Sequence, residues 1–311
     1  MNWHPANTKR GSSLLAVFWL LAILSFAVFT SLNFVVGQVE TQSTQKQAFR
    51  AEQMIERGLA IAAHPNVIEG SPLLTFESTD DFESLEVSLR SEAARFNLNT
   101  LLLNEERELL ESIFGFWGLG MGETADLIDR LMDWVDGDDL VRASGAERDA
   151  YEEAGLIGLP FNRPFQTLDE VSQVRGMDAV SAQFPEWRDW FTLWSSTGQL
   201  DLNAAASPLI QVACGCSPIA ADQFILSRNG PDGIPDTEDD LRFQTLDDVL
   251  SLLGATGLPP EQISSRLTFR EPVKRVAIVA LVGNYGARRD VVLTKGNGEL
   301  RFHYWRDSVI P

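Results

Sequence analysis

Five acids crowd one short stretch of this chain. Asp232, Asp236, Glu238, Asp239 and Asp240 lie within Asn229-Gly230-Pro231-Asp232-Gly233-Ile234-Pro235-Asp236-Thr237-Glu238-Asp239-Asp240. Closely spaced carboxylates can converge on a hard cation, glycine permits the sharp turn, and the Ile234 carbonyl can add a backbone oxygen. Calcium takes about 6–8 oxygens at about 2.3–2.6 Å, whereas magnesium wants a rigid octahedron and keeps its water. The pattern therefore makes calcium the candidate cofactor here. The same residues also make a merely solvated acidic turn, and both readings stand. A second acidic run, Asp133-Trp134-Val135-Asp136-Gly137-Asp138-Asp139, is a weaker metal candidate, because Asp at a helix end also serves as a cap.

Other reactive residue types are sparse. The only cysteines, Cys214 and Cys216, form a Cys-Gly-Cys arrangement without zinc-ligand spacing. They fit a strained bridge in an oxidising compartment, a free thiol pair or a structural role equally well. Histidine occurs only as His4, His64 and His303. There is no Gly-x-Ser-x-Gly elbow, no Walker loop and no dinucleotide fingerprint, so the expectation is a non-enzyme, with a membrane-anchored hydrolase as the rival. Trp187, Trp190 and Trp194 suit a core better than a partner-binding face. The 311 residues carry a net charge of −19, which excludes a nucleic-acid partner, since phosphate binding needs clustered Lys and Arg.

These groups must be held by elements, and the first of those is the clearest. Residues 12–39 contain no charged side chain, and Leu14, Leu15, Phe18, Leu21, Leu24 and Val28 are among its apolar members. About 20 apolar residues span a bilayer as a helix. Lys9 and Arg10 precede the run, so the positive-inside rule keeps the N-terminus cytoplasmic and exports the rest. A secretory signal has an apolar region of only about 7–15 residues. Here the run flows into a proline-free helical pattern that reaches Pro65, giving one helix over 12–64, about 80 Å long. Gly37 and Gly58 are weak points in it, each costing about 1 kcal/mol relative to Ala.

Beyond the helix, Leu85-Glu86-Val87-Ser88-Leu89 alternates as a half-buried strand. Helices are expected at 105–114 and 123–135. Residues 273–282 are β-branched and strand-like. Strands 290–295 and 300–305 flank the hairpin signal Gly296-Asn297-Gly298. These strands can join 85–89 in one antiparallel sheet. The chain also repeats itself. Arg163-Pro164-Phe165-Gln166-Thr167-Leu168-Asp169-Glu170-Val171 matches Arg242-Phe243-Gln244-Thr245-Leu246-Asp247-Asp248-Val249. Phe96-Asn97-Leu98-Asn99-Thr100-Leu101 likewise matches Leu200-Asp201-Leu202-Asn203-Ala204-Ala205. One supersecondary unit thus occurs twice, with Thr167 and Thr245 as helix N-caps. The expected fold is α+β: a split antiparallel-sheet domain behind a long N-terminal transmembrane helix, with a large helical insertion holding two helix-hairpin-like units. Such units resemble helix-hairpin-helix modules, which often bind DNA, but the acidic loops favour protein contacts.

Three resemblances add to this reading. The Asp-Gly-Ile-Pro-Asp core of the acidic stretch resembles the calcium loops of thrombospondin type 3 repeats. The order Lys9-Arg10-Gly11, then Ser12 and a long apolar helix, resembles the signal of type IV pilins and pseudopilins. That resemblance implies cleavage by a prepilin peptidase between Gly11 and Ser12. Most pilins carry glutamate at the fifth residue after the cut. Here that residue is Ala16, a departure matching the K-type minor pseudopilin of bacterial type II secretion. The body of the chain carries the same resemblance through Arg95 to Leu101, Asp133 to Asp139, Gly145-Ala146-Glu147 followed by Tyr151, Asn162-Arg163-Pro164, and Val174-Arg175-Gly176-Met177. It implies a non-catalytic subunit at the tip of a periplasmic pseudopilus, in a single-pass inner-membrane protein whose C-terminal domain lies in the periplasm. The implied partners are other minor pseudopilins, the major pseudopilin fibre and the peptidase. A plain signal anchor on a periplasmic protein-binding or adhesion module, or a type IV pilus minor pilin, would share the N-terminal features. The expected division is a leader at 1–11, the spine helix at 12–64, the first part of the sheet domain at 65–98, the insertion at 99–260 and the closing strands at 261–311.

Overall fold

The computed structural model describes residues 9–78, 82–237, 239–254, 256–296 and 299–310. One helix, α1 (Lys9–Ala63), runs unbroken for 55 residues. Its lower half buries Ala51, Met54, Ile55, Leu59 and Ala62, the spacing of a single helical stripe. The stripe lies on a five-stranded antiparallel sheet of β1 (Thr75–Ser78), β2 (Glu83–Ser91), β7 (Val273–Val282), β8 (Tyr285–Gly296) and β9 (Glu299–Ile310), in the order β1-β2-β7-β8-β9. Leu85, Val87 and Leu89 alternate inward and meet Val276, Ile278, Ala280, Val291 and Leu293 under the helix. Gly58 is not merely a weak point. A Cβ there would sit 2.9 Å from Ile278 and 3.0 Å from Val87, so its bare backbone sets how closely helix and sheet approach. The buried Arg289 of β8 then ties the layers together. It reaches Glu52 at 2.6 Å and Glu56 at 2.5 Å on α1, and its cross-strand partner Asp307 at 2.6 Å.

The closing hairpin is longer than the sequence suggests. Its strands cover 285–296 and 299–310 rather than 290–295 and 300–305, because charged residues outside the apolar segments pair across and along the strands. Asn297 and Gly298, the expected turn, lie outside the described residues.

Between β2 and β7 stands a helical body with its own core. It comprises β3 (Phe96–Asn97), α2 (Leu98–Leu103), α3 (Arg107–Phe116), α4 (Met121–Val135), α5 (Arg148–Glu153), α6 (Leu168–Val171), α7 (Met177–Gln183) and β4 (Phe191–Thr192). A second run follows: β5 (Leu200–Asp201), α8 (Ser207–Cys214), α9 (Pro218–Arg228), α10 (Leu246–Leu253), α11 (Pro260–Arg266) and β6 (Leu267–Thr268). Helix α3 begins two residues later than expected because Glu105 adopts a left-handed φ of 53°. The body spans 96–268, wider than the expected 99–260, since Phe96, Ile263 and Leu267 are buried in its core rather than under the sheet.

The two repeated units superimpose in their chemistry. β3 pairs in parallel with β4, and β5 in parallel with β6. Asn99 donates to the Phe165 carbonyl and accepts from the Phe165 amide, both at 2.9 Å. Asn203 makes the same two bonds to Phe243, again both at 2.9 Å. Thr167 and Thr245 cap α6 and α10 through their hydroxyls. The pairing reveals a third repeated motif that sequence reading missed, Phe191-Thr192-Leu193 against Leu267-Thr268-Phe269. Each unit is thus one strand-to-strand loop pinned at its middle by an asparagine.

Charged side chains bolt the helical body to the sheet. Glu92, fully buried just after β2, accepts two bonds from Arg275 of β7 at 3.0 Å and one from Arg95 at 2.9 Å. The Thr192 hydroxyl of the helical body donates to the same carboxylate. Glu271 accepts from the Ser196 amide at 3.1 Å, and Glu69 holds Lys274 at 2.7 Å and Arg242 at 3.5 Å. Removing one member of a buried ionic group costs about 3–5 kcal/mol, because the remaining charge is left unpaired. We therefore expect Glu92→Ala to destabilise the protein by that amount and to split calorimetric unfolding into separate sheet and helical-body transitions. A single transition at the wild-type temperature would contradict this.

Candidate functional site: the apolar spine and the acidic loops

Among the described residues, nothing packs against the upper half of α1. Leu14–Phe34 is a 21-residue stretch of mean hydropathy 2.4, none of it buried. Leu14, Leu15, Phe18, Leu21, Leu24 and Val28 are all exposed. Its length and composition match a bilayer crossing, and it is apolar on every face, as a lipid-facing helix must be. Thr30 turns its hydroxyl back to the Phe26 and Ala27 carbonyls at 2.9 and 3.0 Å, which hides the polar group. Gly11 and Ser12 lie in the first turns of this helix.

The 229–240 stretch coils immediately after α9. Gly230 and Gly233 take φ of 68° and Asp236 takes 64°. The loop carboxylates largely serve the loop itself. Asp232 accepts from the Ile234 amide at 2.8 Å, Asp239 from the Asp232 amide at 3.3 Å, and Asp240 from the Asp236 amide at 2.8 Å. The Thr237 hydroxyl donates to Asp239 at 2.7 Å and holds its carboxyl below the usual range. Asp236 faces Arg90 at 3.7 Å. Glu238 lies outside the described residues.

The acids that do converge are in the other loop. Helix α4 is amphipathic and ends at Val135; it presents Asp133 and then Asp136 at its C-terminal edge. The chain leaves through Gly137 and returns, bringing Glu147 alongside. One oxygen each of Asp133, Asp136 and Glu147 lies within 4.8 Å of the others, the one such acidic group among the described residues. The return limb presses so close that a Cβ on Gly145 would fall 1.8 Å from an Asp133 oxygen. Arg142 Nη1 donates to Asp133 at 2.8 Å and also to Asp136, and the Arg142 amide donates to Asp133 at 3.2 Å. Glu147 receives nothing: both its carboxylate oxygens are buried and unpartnered, as is Asp136 Oδ1. Burial first, and the neighbouring Asp133 and Asp136 next, push Glu147 up to about 7. Asp133 and Asp136 were legible as ligand types. Glu147 stood out only as part of a family pattern, since nothing local signals that a residue 14 positions away returns to the same point.

The remaining singled-out residues are structural. Trp187 and Trp190 are buried, and Trp194 packs half-buried at 5.3 Å from Tyr304. Cys214 and Cys216 are free and buried; burial pushes Cys214 up to about 12 and raises Cys216 as well, so both are protonated thiols. His64 accepts from the Asn66 amide at 3.3 Å, and His303 bonds Thr294 at 2.6 Å in the distant hairpin.

Residues 94–184 match the family described as type II secretion system (T2SS), protein K. No curated protein matches the chain. Among solved structures, the chain is similar to one in the crystal structure of the GspK-GspI-GspJ complex from the enterotoxigenic Escherichia coli type 2 secretion system. The identity is 14%, covering 86% of this chain and 98% of that one, with a TM-score of 0.64. At that identity the likeness speaks for the fold. The family match covers the first repeated unit almost entire, including Asn99, Asp133, Asp136 and Glu147. Residues 94–184 thus carry the protein K family match, and the fold around them is similar to that of the chain in the solved complex.

Proposed function

We propose that the chain is a non-catalytic minor pseudopilin that caps the tip of the periplasmic pseudopilus, anchored by Leu14–Phe34 in the inner membrane with residues from about 40 onward in the periplasm. The observation that carries this is one helix doing two jobs: its lower half is the core of a sheet domain, and its upper half is bare and apolar. Lys9 and Arg10 ahead of the span favour a cytoplasmic N-terminus. The partners we propose are two further minor pseudopilins at the tip, by analogy with the GspI and GspJ of the similar complex, and the major pseudopilin fibre below. Prepilin peptidase cuts between Gly11 and Ser12. Ala16 leaves this subunit without the carboxylate that would meet the N-terminal amine of a neighbour, which suits a terminal position. A carboxylate there would also be costly during insertion, by about 2.5–3.5 kcal/mol on insertion scales.

We also propose that the 229–240 loop takes a calcium ion through Asp232, Asp236, Asp239 and Asp240, with Glu238 as a further ligand. Its positive-φ residues already coil it, and small rotations would free exposed carboxylates from their amide bonds. Bound calcium would stabilise the folded chain by mass action, about 2.7 kcal/mol at a free concentration of 100 Kd.

Two outcomes are expected. The mature protein begins at Ser12 in cells with prepilin peptidase and at Met1 in cells without it; Gly11→Asp blocks the cut, and labelled subunits mark one end of the fibre. An uncut native chain, or label along the whole fibre, would overturn the tip assignment. Calorimetric titration of the full chain in detergent finds one fewer bound calcium after Asp232→Ala with Asp236→Ala. If the double variant binds as many ions as the wild type, the run is only a solvated turn.

A further inference from the structure

We propose that the outer edge of β9, over residues 304–310, is a docking site for an extended strand of another protein, one whose residues alternate between apolar and acidic. The site does not depend on the tip assignment.

The first argument is the backbone. β9 is the last strand of its sheet, and among the described residues no strand pairs with its outer side. An open edge offers a row of free N–H and C=O groups, which folded proteins usually keep short, bend or cover. β9 is bent at His303, where the register slips between the pairs Val292–Tyr304 and Leu293–Phe302 and the imidazole bonds Thr294 at 2.6 Å. From Tyr304 to Ile310 the ladder to β8 is regular, about 24 Å of straight edge at about 3.4 Å per residue.

The second argument is the face. Trp305 and Val309 stand opposite Val291 and Ala287, on the side of the sheet that carries α1. Val291 is fully buried there, yet Trp305 is 44% and Val309 64% exposed. The helix thus covers β2, β7 and β8 and leaves the β9 side chains open. A charge pointing to the covered side would block strand addition. Asp307 points that way, but it is neutralised: it accepts from Arg289 at 2.6 Å and from the Trp305 indole at 3.0 Å. A sixth strand would continue the sheet and lay its apolar side chains beside Trp305 and Val309.

The third argument is charge. The opposite face of the same run presents Arg306, which is exposed. Its cross-strand neighbour Asp290 is already held by Arg288, at 2.9 and 2.7 Å. Residues 285–310 hold five Lys and Arg against three Asp and Glu, in a chain of net charge −19. An acid opposite Arg306 on an added strand gains an ion pair, and a basic residue there is repelled. A second copy of this chain fits poorly. The antiparallel register that uses all of 304–310 is centred on Asp307 and sets two Asp307 carboxylates face to face. The occupant is therefore a different chain, with carboxylates on the face that meets Arg306.

The test uses the full chain in detergent at about 0.15 M salt, where exposed charges more than about 8 Å apart are largely screened. The probes are two short labelled peptides, one alternating valine and glutamate and one alternating valine and lysine. Fluorescence anisotropy shows the glutamate peptide binding the wild type at least tenfold more tightly than the lysine peptide, and Arg306→Glu inverts that order. Val309→Lys, a change at an exposed position, weakens the glutamate peptide at least tenfold and leaves the melting temperature unchanged. Hydrogen exchange locates the peptide: outward-pointing amides within 304–310 slow at least tenfold when it binds. No binding, or equal affinity for the two peptides, overturns the proposal. So does binding without protection of 304–310, since a strand that pairs with the edge must protect it. A wild-type dimer in sedimentation that Val309→Lys dissolves would give the edge to a second copy and overturn the choice of occupant.

Discussion

The buried carboxylate of Glu92 is the constraint on which the rest of the architecture depends. A sheet domain and a helical body each have their own apolar core, and buried polar groups cross between them. Glu92 is one of these groups and is bonded by Arg275 from the sheet, by Arg95 beside it and by Thr192 from the helical body. A charge can remain there only because each partner is in place, so the group acts as a geometric lock rather than as glue. Glu69 and Glu271 repeat the same logic at either side, with Arg242, Lys274 and Ser196. These polar contacts tie the insert to the sheet.

The spine obeys a different rule. Its apolar stripe changes partner along its length, from solvent-exposed over Leu14–Phe34 to sheet-packed from Ala51 onward. No kink is needed for this change, because the α-helical hydrogen bonds are internal and indifferent to what surrounds them. Gly58 lets the sheet approach at the middle of the packed stripe, and Lys295 closes the end by donating to the Ala62 and Val67 carbonyls. One unbroken helix thus carries a bare apolar half and a half packed on the sheet domain.

The insert shows how a duplicated unit diverges. Its two halves keep the asparagine clamp, the threonine cap and the parallel strand pair. They differ where acids gather. The first half folds its acidic loop inward around Asp133, with Glu147 facing it unpaired, while the second leaves the 229–240 loop exposed and self-bonded. The same residue type therefore serves as a buried cluster in one unit and as turn chemistry in the other.

Much of this was legible in the residues themselves. The uncharged run after Lys9 and Arg10, the alternation of Leu85, Val87 and Leu89, the caps at Thr167 and Thr245 and the doubled Phe-Gln-Thr-Leu motif are all local signals. They survive folding because helix periodicity, strand alternation and capping are decided within a few residues. The starts and ends were less legible: Glu105 delayed α3 through its backbone conformation, and charged residues lengthened the hairpin. Gly58 looked like a flaw until the sheet lay against it. Five acids in one short stretch suggested where a cation would sit, yet among the described residues the acids that meet come from Asp133, Asp136 and Glu147, brought together by a loop that closes through Gly145. Composition and spacing determined which elements form. Which charges face one another was decided only by tertiary structure, because convergence depends on the path of the chain between residues and not on their order.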